Sequence, residues 1–102
     1  MRAIGLDLGT RRIGVAVSDF SGTIASPHSV IQRSKSLRLD HQKILDLVIE
    51  EEAEIVIVGL PLLMSGTYGP AAKAATTEAK RLGTVLSVPV EMFDERLTTV
   101  AA

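Results

Sequence analysis

The run Ala3-Ile4-Gly5-Leu6-Asp7-Leu8-Gly9-Thr10-Arg11-Arg12-Ile13-Gly14-Val15-Ala16-Val17-Ser18 decides the fold. Apolar residues alternate with small or polar ones over 3–8 and again over 13–18, and a period of two is the signature of a half-buried strand. Ile4, Leu6 and Leu8 share one face of the first segment, and Ile13, Val15 and Val17 share one face of the second. Gly9-Thr10-Arg11-Arg12 between them has turn chemistry, so the pair reads as an antiparallel hairpin. The opposite face is built from Gly5, Gly14, Ala16 and Ser18, with Asp7 as its one charge. Small side chains let a ligand or another element approach the backbone closely. One carboxylate therefore stands in a space that its neighbours leave open.

Outward from the hairpin, Asp19-Phe20-Ser21-Gly22 reads as a second turn and residues 23–31 as a third strand. Pro27 within that strand places it at an edge or a bulge. The period then changes. Leu37, His41, Ile44, Leu45 and Val48 recur at helical spacing over about 37–52, with Ser36 or Asp40 as the cap. No partner lies at metal-binding spacing from His41, which reads as a half-buried packing residue, and Glu50-Glu51-Glu52 reads as a solvated face. Ile55-Val56-Ile57-Val58, ended by Gly59-Leu60-Pro61, reads as a strand buried on both faces. A polar loop with Ser65, Gly66, Thr67 and Gly69 leads to a helix over 70–82. Pro70 suits that helix's first position and Gly83 its C-terminal cap. Its expected buried face is Ala71, Ala74, Ala75, Ala79 and Leu82. Val88, Val90 and Met92 give a fifth strand, which Pro89 pushes to the sheet edge. Thr98 or Thr99 reads as the cap of an incipient helix. An antiparallel three-strand meander followed by βαβ crossovers makes an α/β fold, a mixed five-stranded sheet with helices packed on it.

Length and composition agree with this reading. The 102 residues suit one domain, and 46% hydrophobic with 23% charged is a globular balance. The absence of Cys excludes disulfides, thiolate metal sites and cysteine nucleophiles. Three aromatic residues give no stacking platform for single-stranded nucleic acid. With no signal-peptide pattern and no apolar run of membrane-spanning length, the expected location is the cytoplasm, away from any membrane. Net charge is −1, but it is unevenly spread: residues 1–38 carry six basic and two acidic side chains, residues 39–102 five basic and ten acidic. Such asymmetry fits either a phosphate-facing surface or a set of solvated charges.

Two features carry chemistry. Asp7 closes the first strand, and Asp94-Glu95 follows the fifth. Sites in open α/β sheets gather where strand ends meet loops. Carboxylates held at two such ends suit a divalent cation, since Mg²⁺ takes hard oxygen ligands. Plain structural roles compete: Asp7 as acceptor for the Thr10–Arg12 turn, Asp94 as a helix-entry residue paired with Arg96. The crowded small-residue face around Asp7 favours function, because a buried aspartate without a cation is costly.

Three blocks, Gly5 through Asp19, Ile57-Val58-Gly59-Leu60-Pro61-Leu62 with Ser65-Gly66, and Asp94-Glu95-Arg96-Leu97-Thr98-Thr99, resemble the YqgF family over essentially the whole chain. These are bacterial RNase H-like proteins related in fold to RuvC resolvases, described as Holliday-junction resolvases and as nucleases maturing the 5′ end of pre-16S rRNA. The resemblance implies metal-dependent phosphodiester cleavage with Mg²⁺ or Mn²⁺. Asp7, Asp94 and Glu95 match the catalytic acids, with Asp7 and Asp94 as metal ligands. Arg11, Arg12 and Arg96 fall at positions suited to phosphate, which the planar guanidinium fork matches. Ser65 and Gly66 lie in a block near the substrate, although a tight strand-to-helix connection explains that block equally well. The implied partners are nucleic acid, either pre-rRNA or branched DNA, and a ribosome precursor. Family members continue into a closing helix with a further acidic residue. On that basis residues 1–102 are expected to be a single RNase H-like domain cut short at its C-terminus, with bare apolar sheet surface and either a monomeric or a homodimeric state. The incomplete acidic set keeps open a non-catalytic nucleic-acid or ribosome-binding module using Arg11, Arg12 and Arg33. Asp7-Leu8-Gly9-Thr10 is also similar to the phosphate loop of actin, sugar-kinase and Hsp70-type ATPases.

Overall fold

The computed structural model describes residues 2–18, 25–60 and 69–94. Strands β1 (Ala3–Leu8) and β2 (Arg12–Ser18) form the expected hairpin, with Ile4 opposite Val17 and Asp7 opposite Gly14. β3 (Ala25–Gln32) pairs antiparallel with β2 and forms one sheet edge. A register shift between Val15 and Ala16 leaves His28 as the extra residue, next to Pro27. Edge and bulge are thus both present where the proline required one of them. Helix α1 (Leu37–Glu50), strand β4 (Ile55–Leu60), helix α2 (Pro70–Val85) and strand β5 (Val90–Asp94) complete the order. The sheet reads β3-β2-β1-β4-β5, with β4 parallel to both β1 and β5.

Alternation decides which face is buried. Ile4, Leu6, Ile13, Val15, Ile31, Val56 and Val58 point to one side and join Ile44 and Val48 of α1 and Ala79 and Leu82 of α2 in one cluster. Both helices therefore pack on the same sheet face. The β4 expectation needs correction accordingly: Val56 and Val58 are buried, whereas Ile55 and Ile57 are only half-buried, because the described helices cover one side alone.

α1 begins where Ser36 accepts a hydrogen bond from the Leu39 N–H, so Ser36 and not Asp40 is the cap. It ends at Glu50, two residues earlier than expected, and Glu52 takes a left-handed φ of 53° as the chain turns. Pro70 opens α2 as anticipated. The helix runs on to Val85, and Gly83 lies inside it, exposed, with nothing within 4 Å of a Cβ built on it. Leu86 explains the extension: it is buried one turn beyond Leu82, and its N–H donates to the Leu82 carbonyl. The buried face is Ala72, Ala75, Ala79 and Leu82; Ala71 and Ala74 are exposed. Counting back from Leu82 in steps of three and four gives that stripe, and Ala71 and Ala74 fall about 100° off it. Among the described residues, no helix is long and apolar enough to cross a membrane.

Candidate active site

Asp7 lies at the carboxyl-terminal end of β1 on the sheet face away from the helices. Its partner across the hairpin is Gly14, and a Cβ built there would come 3.5 Å from the Asp7 Cβ. The space beside the carboxylate is thus left by a missing side chain. Asp7 is nevertheless exposed. Asp7 is therefore not the costly buried, unpaired aspartate that its small-residue neighbours suggested, but an accessible carboxylate with room beside it. Solvent access suits an incoming ligand better than burial does.

The turn after Asp7 is tight. The Gly9 N–H donates to the Asp7 carbonyl at 3.0 Å, and a Cβ on Gly9 would stand 2.6 Å from the Arg12 carbonyl oxygen. Only glycine fits there. Arg11 and Arg12, next along the turn, are exposed and so accessible to phosphate.

Register places the second carboxylate-bearing strand end. Leu6 is level with Val58, and Val58 with Met92. The ends of β1, β4 and β5 therefore open on one sheet edge, and the Asp94 backbone pairs with Leu60 there. Two inter-strand spacings separate β1 from β5, about 10 Å at the backbone. Phe93, one residue before Asp94, is 41% exposed at this edge. Glu95, Arg96, Ser65 and Gly66, and the caps expected at Thr98 or Thr99, lie outside the described residues. Among the described residues, no three or more of His, Asp and Glu gather closely enough to hold a metal ion. The oxygen chemistry of the two strand ends still matches what Mg²⁺ or Mn²⁺ takes, one or two carboxylates completed by water and substrate oxygens.

The sequence reading missed a polar cluster beneath the turn. Arg33, just after β3, donates from Nε to the Gly9 carbonyl at 2.8 Å. Its two terminal nitrogens each lie 2.8 Å from one Glu78 carboxylate oxygen, a bidentate pair. His41 Nε2 lies 2.8 Å from the Glu78 Oε2. Asp40, 1% exposed, approaches Arg33 at 3.9 Å and accepts hydrogen bonds from the Ser34 N–H and hydroxyl at 2.9 and 2.8 Å. Burial pushes Glu78 up, but its bonds to Arg33 and His41 outweigh it and hold the carboxyl below its ordinary 4.5. Burial likewise opposes the Asp40 charge, and the two Ser34 bonds, with the charges of Arg33 and Lys43, bring it below 3.8. Arg33 is thus a half-buried, satisfied cation, not the phosphate contact that the binding-module reading made of it. His41 is fully buried against an acid, not half-buried in apolar packing. A pattern clue existed: His41 and Asp40 sit on the inward stripe of α1 with Ile44 and Val48, and buried polar groups call for partners.

The family described as RuvX, Holliday junction resolvase, matches residues 1–102. The chain belongs to this family. It is 44% identical over 102 residues to a "Putative pre-16S rRNA nuclease" of Thermoanaerobacter pseudethanolicus, covering all of this chain and 73% of that protein. It is 50% identical over 99 residues to one of the same name from Chloroflexus aggregans, covering 97% and 69%. Among solved structures, Thermus thermophilus RuvC in complex with a Holliday junction substrate aligns with a TM-score of 0.63 at 17% identity, covering 92% of this chain and 64% of RuvC. The fold of this RuvX-family chain is accordingly RNase H-like, α/β with a mixed five-stranded sheet. A ROK hexokinase from Thermus thermophilus aligns at 0.58 and 18% identity, covering 92% of this chain and 34% of the kinase. The likeness of the Asp7–Thr10 segment to sugar-kinase phosphate loops is therefore a likeness of fold, and fold alone does not assign chemistry.

Proposed function

We propose that this chain is a metal-dependent endonuclease that hydrolyses phosphodiester bonds in structured nucleic acid, acting at the 5′ end of pre-16S rRNA in ribosome biogenesis. One observation carries the reading. An exposed carboxylate, Asp7, stands at the same sheet edge as the end of β5, beside a turn that presents Arg11 and Arg12 to solvent. The names of the relatives support the rRNA substrate, and the family description supports branched DNA as the second reading.

In this mechanism Asp7 and Asp94 would hold Mg²⁺ or Mn²⁺, and Glu95 would act as the third catalytic acid. When bound there, such a cation would supply Lewis-acid activation of water and charge stabilisation at the leaving oxygen. Arg11, Arg12 and Arg96 grip non-bridging phosphate oxygens through planar, always-charged forks. Gly14 keeps the space beside Asp7 open for the phosphate, and Ser65 and Gly66 are taken as further substrate contacts. The partners are nucleic acid and a ribosome precursor, the chain is a monomer or homodimer, and it acts in the cytoplasm.

The test is cleavage of an RNA spanning the 16S 5′ end, and of a four-way DNA junction, with Mg²⁺ or Mn²⁺. Asp7→Asn is expected to slow cleavage at least ~100-fold, about 3 kcal/mol of transition-state stabilisation. An unchanged rate defeats the assignment. Metal-independent binding that needs Arg11 and Arg12, with no cleavage of either substrate, transfers the chain to the non-catalytic binding class. Faster turnover of the junction selects DNA as the substrate.

A further inference from the structure

Arg33 joins three parts of the molecule that are far apart in sequence. Its Nε donates to the Gly9 carbonyl, and its own backbone N–H donates to the Arg11 carbonyl at 2.9 Å. It therefore grips the β1–β2 turn on both sides of Thr10. Its guanidinium is fixed by Glu78 of α2, which His41 of α1 braces from the other side, and Asp40 of α1 stands behind. Gly9 in turn donates to the Asp7 carbonyl. An unbroken chain of hydrogen bonds thus runs from the two helices to the backbone of the candidate catalytic aspartate. A cluster that served only to glue helix to helix would not need its guanidinium to reach a turn carbonyl.

We infer that Arg33 is a positioning residue, held by Glu78 and His41, that sets the Gly9–Arg12 turn and through it aims Asp7, Arg11 and Arg12 at the scissile phosphate. The inference rests on the nuclease reading proposed above. Lys cannot replace Arg33, since a single ammonium cannot span Gly9 and both Glu78 oxygens. Arg33 itself touches no phosphate, so its loss should leave the salt dependence of nucleic-acid binding unchanged, whereas loss of a phosphate contact lowers that slope by about 0.7–0.9.

The experiment compares Arg33→Lys, Glu78→Gln and Asp7→Asn by amide hydrogen exchange and by cleavage of the 16S 5′-end RNA. Arg33→Lys and Glu78→Gln should speed exchange at Gly9 and Arg33 at least tenfold while Ile4 and Val56 exchange as before. They should slow cleavage tenfold or more, with RNA affinity within about twofold and an unchanged salt slope. Exchange that stays at the native rate in the turn, or rises equally through the core, overturns the inference. So does a reduced salt slope, which would make Arg33 a phosphate contact. Failure of the nuclease reading is separate: it shows as cleavage unaffected by Asp7→Asn, whatever the exchange data say of the turn.

Discussion

Gly9 shows how much one missing side chain decides. With the Arg12 carbonyl 2.6 Å from where a Cβ would stand, Gly9→Ala forces the turn apart and disturbs the Gly9 bonds to Asp7 and Arg33. A loss of about 1–3 kcal/mol is expected, read as a lower urea midpoint with an unchanged slope. At Gly14 the space is looser, and Gly14→Ala should leave stability within about 0.5 kcal/mol, since its Cβ would meet Asp7 at ordinary contact distance. The cluster around Arg33 gives a pH dependence. Asp40 and Glu78 both titrate lower in the folded chain than their ordinary 3.8 and 4.5. The unfolded chain therefore takes up protons first as pH falls. Their stabilisation is complete above pH 5 and declines as pH drops through 4 and below. Denaturation at pH 3, 4, 5 and 7 should show this decline, and Arg33→Met should reduce it chiefly through Glu78, whose strongest partner it removes, because the Ser34 bonds still hold the Asp40 charge.

Helix α2 shows what a pattern reveals and what it leaves open. Its existence and its Pro70 start follow from composition and position. Its phase does not, because alanines at 71, 72, 74, 75 and 79 offer more than one apolar stripe. Leu82 and Leu86, the large apolar residues, choose among them by burying one turn apart. Leu82, fully buried, should cost 2–5 kcal/mol when cut to Ala, and Lys80→Ala, on the exposed side, should stay within about 0.5 kcal/mol. Thermal unfolding of the two variants separates these outcomes. The strands were more legible than the helices. Two-residue alternation leaves one choice of face, and Pro27 and Pro89 marked both edge strands because proline cannot complete a ladder.

At the scale of the molecule, local signals drew the sheet, and long-range pairing assembled what the chemistry needs. The hairpin, the meander and the crossovers could be read from alternation and turns, and so could the placing of Asp7 and Asp94 at strand ends on one edge. The Arg33–Glu78–His41 cluster could not, since its members lie up to 45 residues apart and no spacing rule joins them. Nor could the exposure of Asp7, which depends on what else covers that face of the sheet. The measurement that bears most directly on the central claim is Mn²⁺-induced line broadening in the NMR spectrum of this chain. The account predicts that low Mn²⁺ broadens amides at the ends of β1 and β5 together, around Asp7 and Asp94, and that Asp7→Asn abolishes both effects. Broadening that ignores Asp7→Asn, or that collects instead at Glu50-Glu51-Glu52, would contradict it.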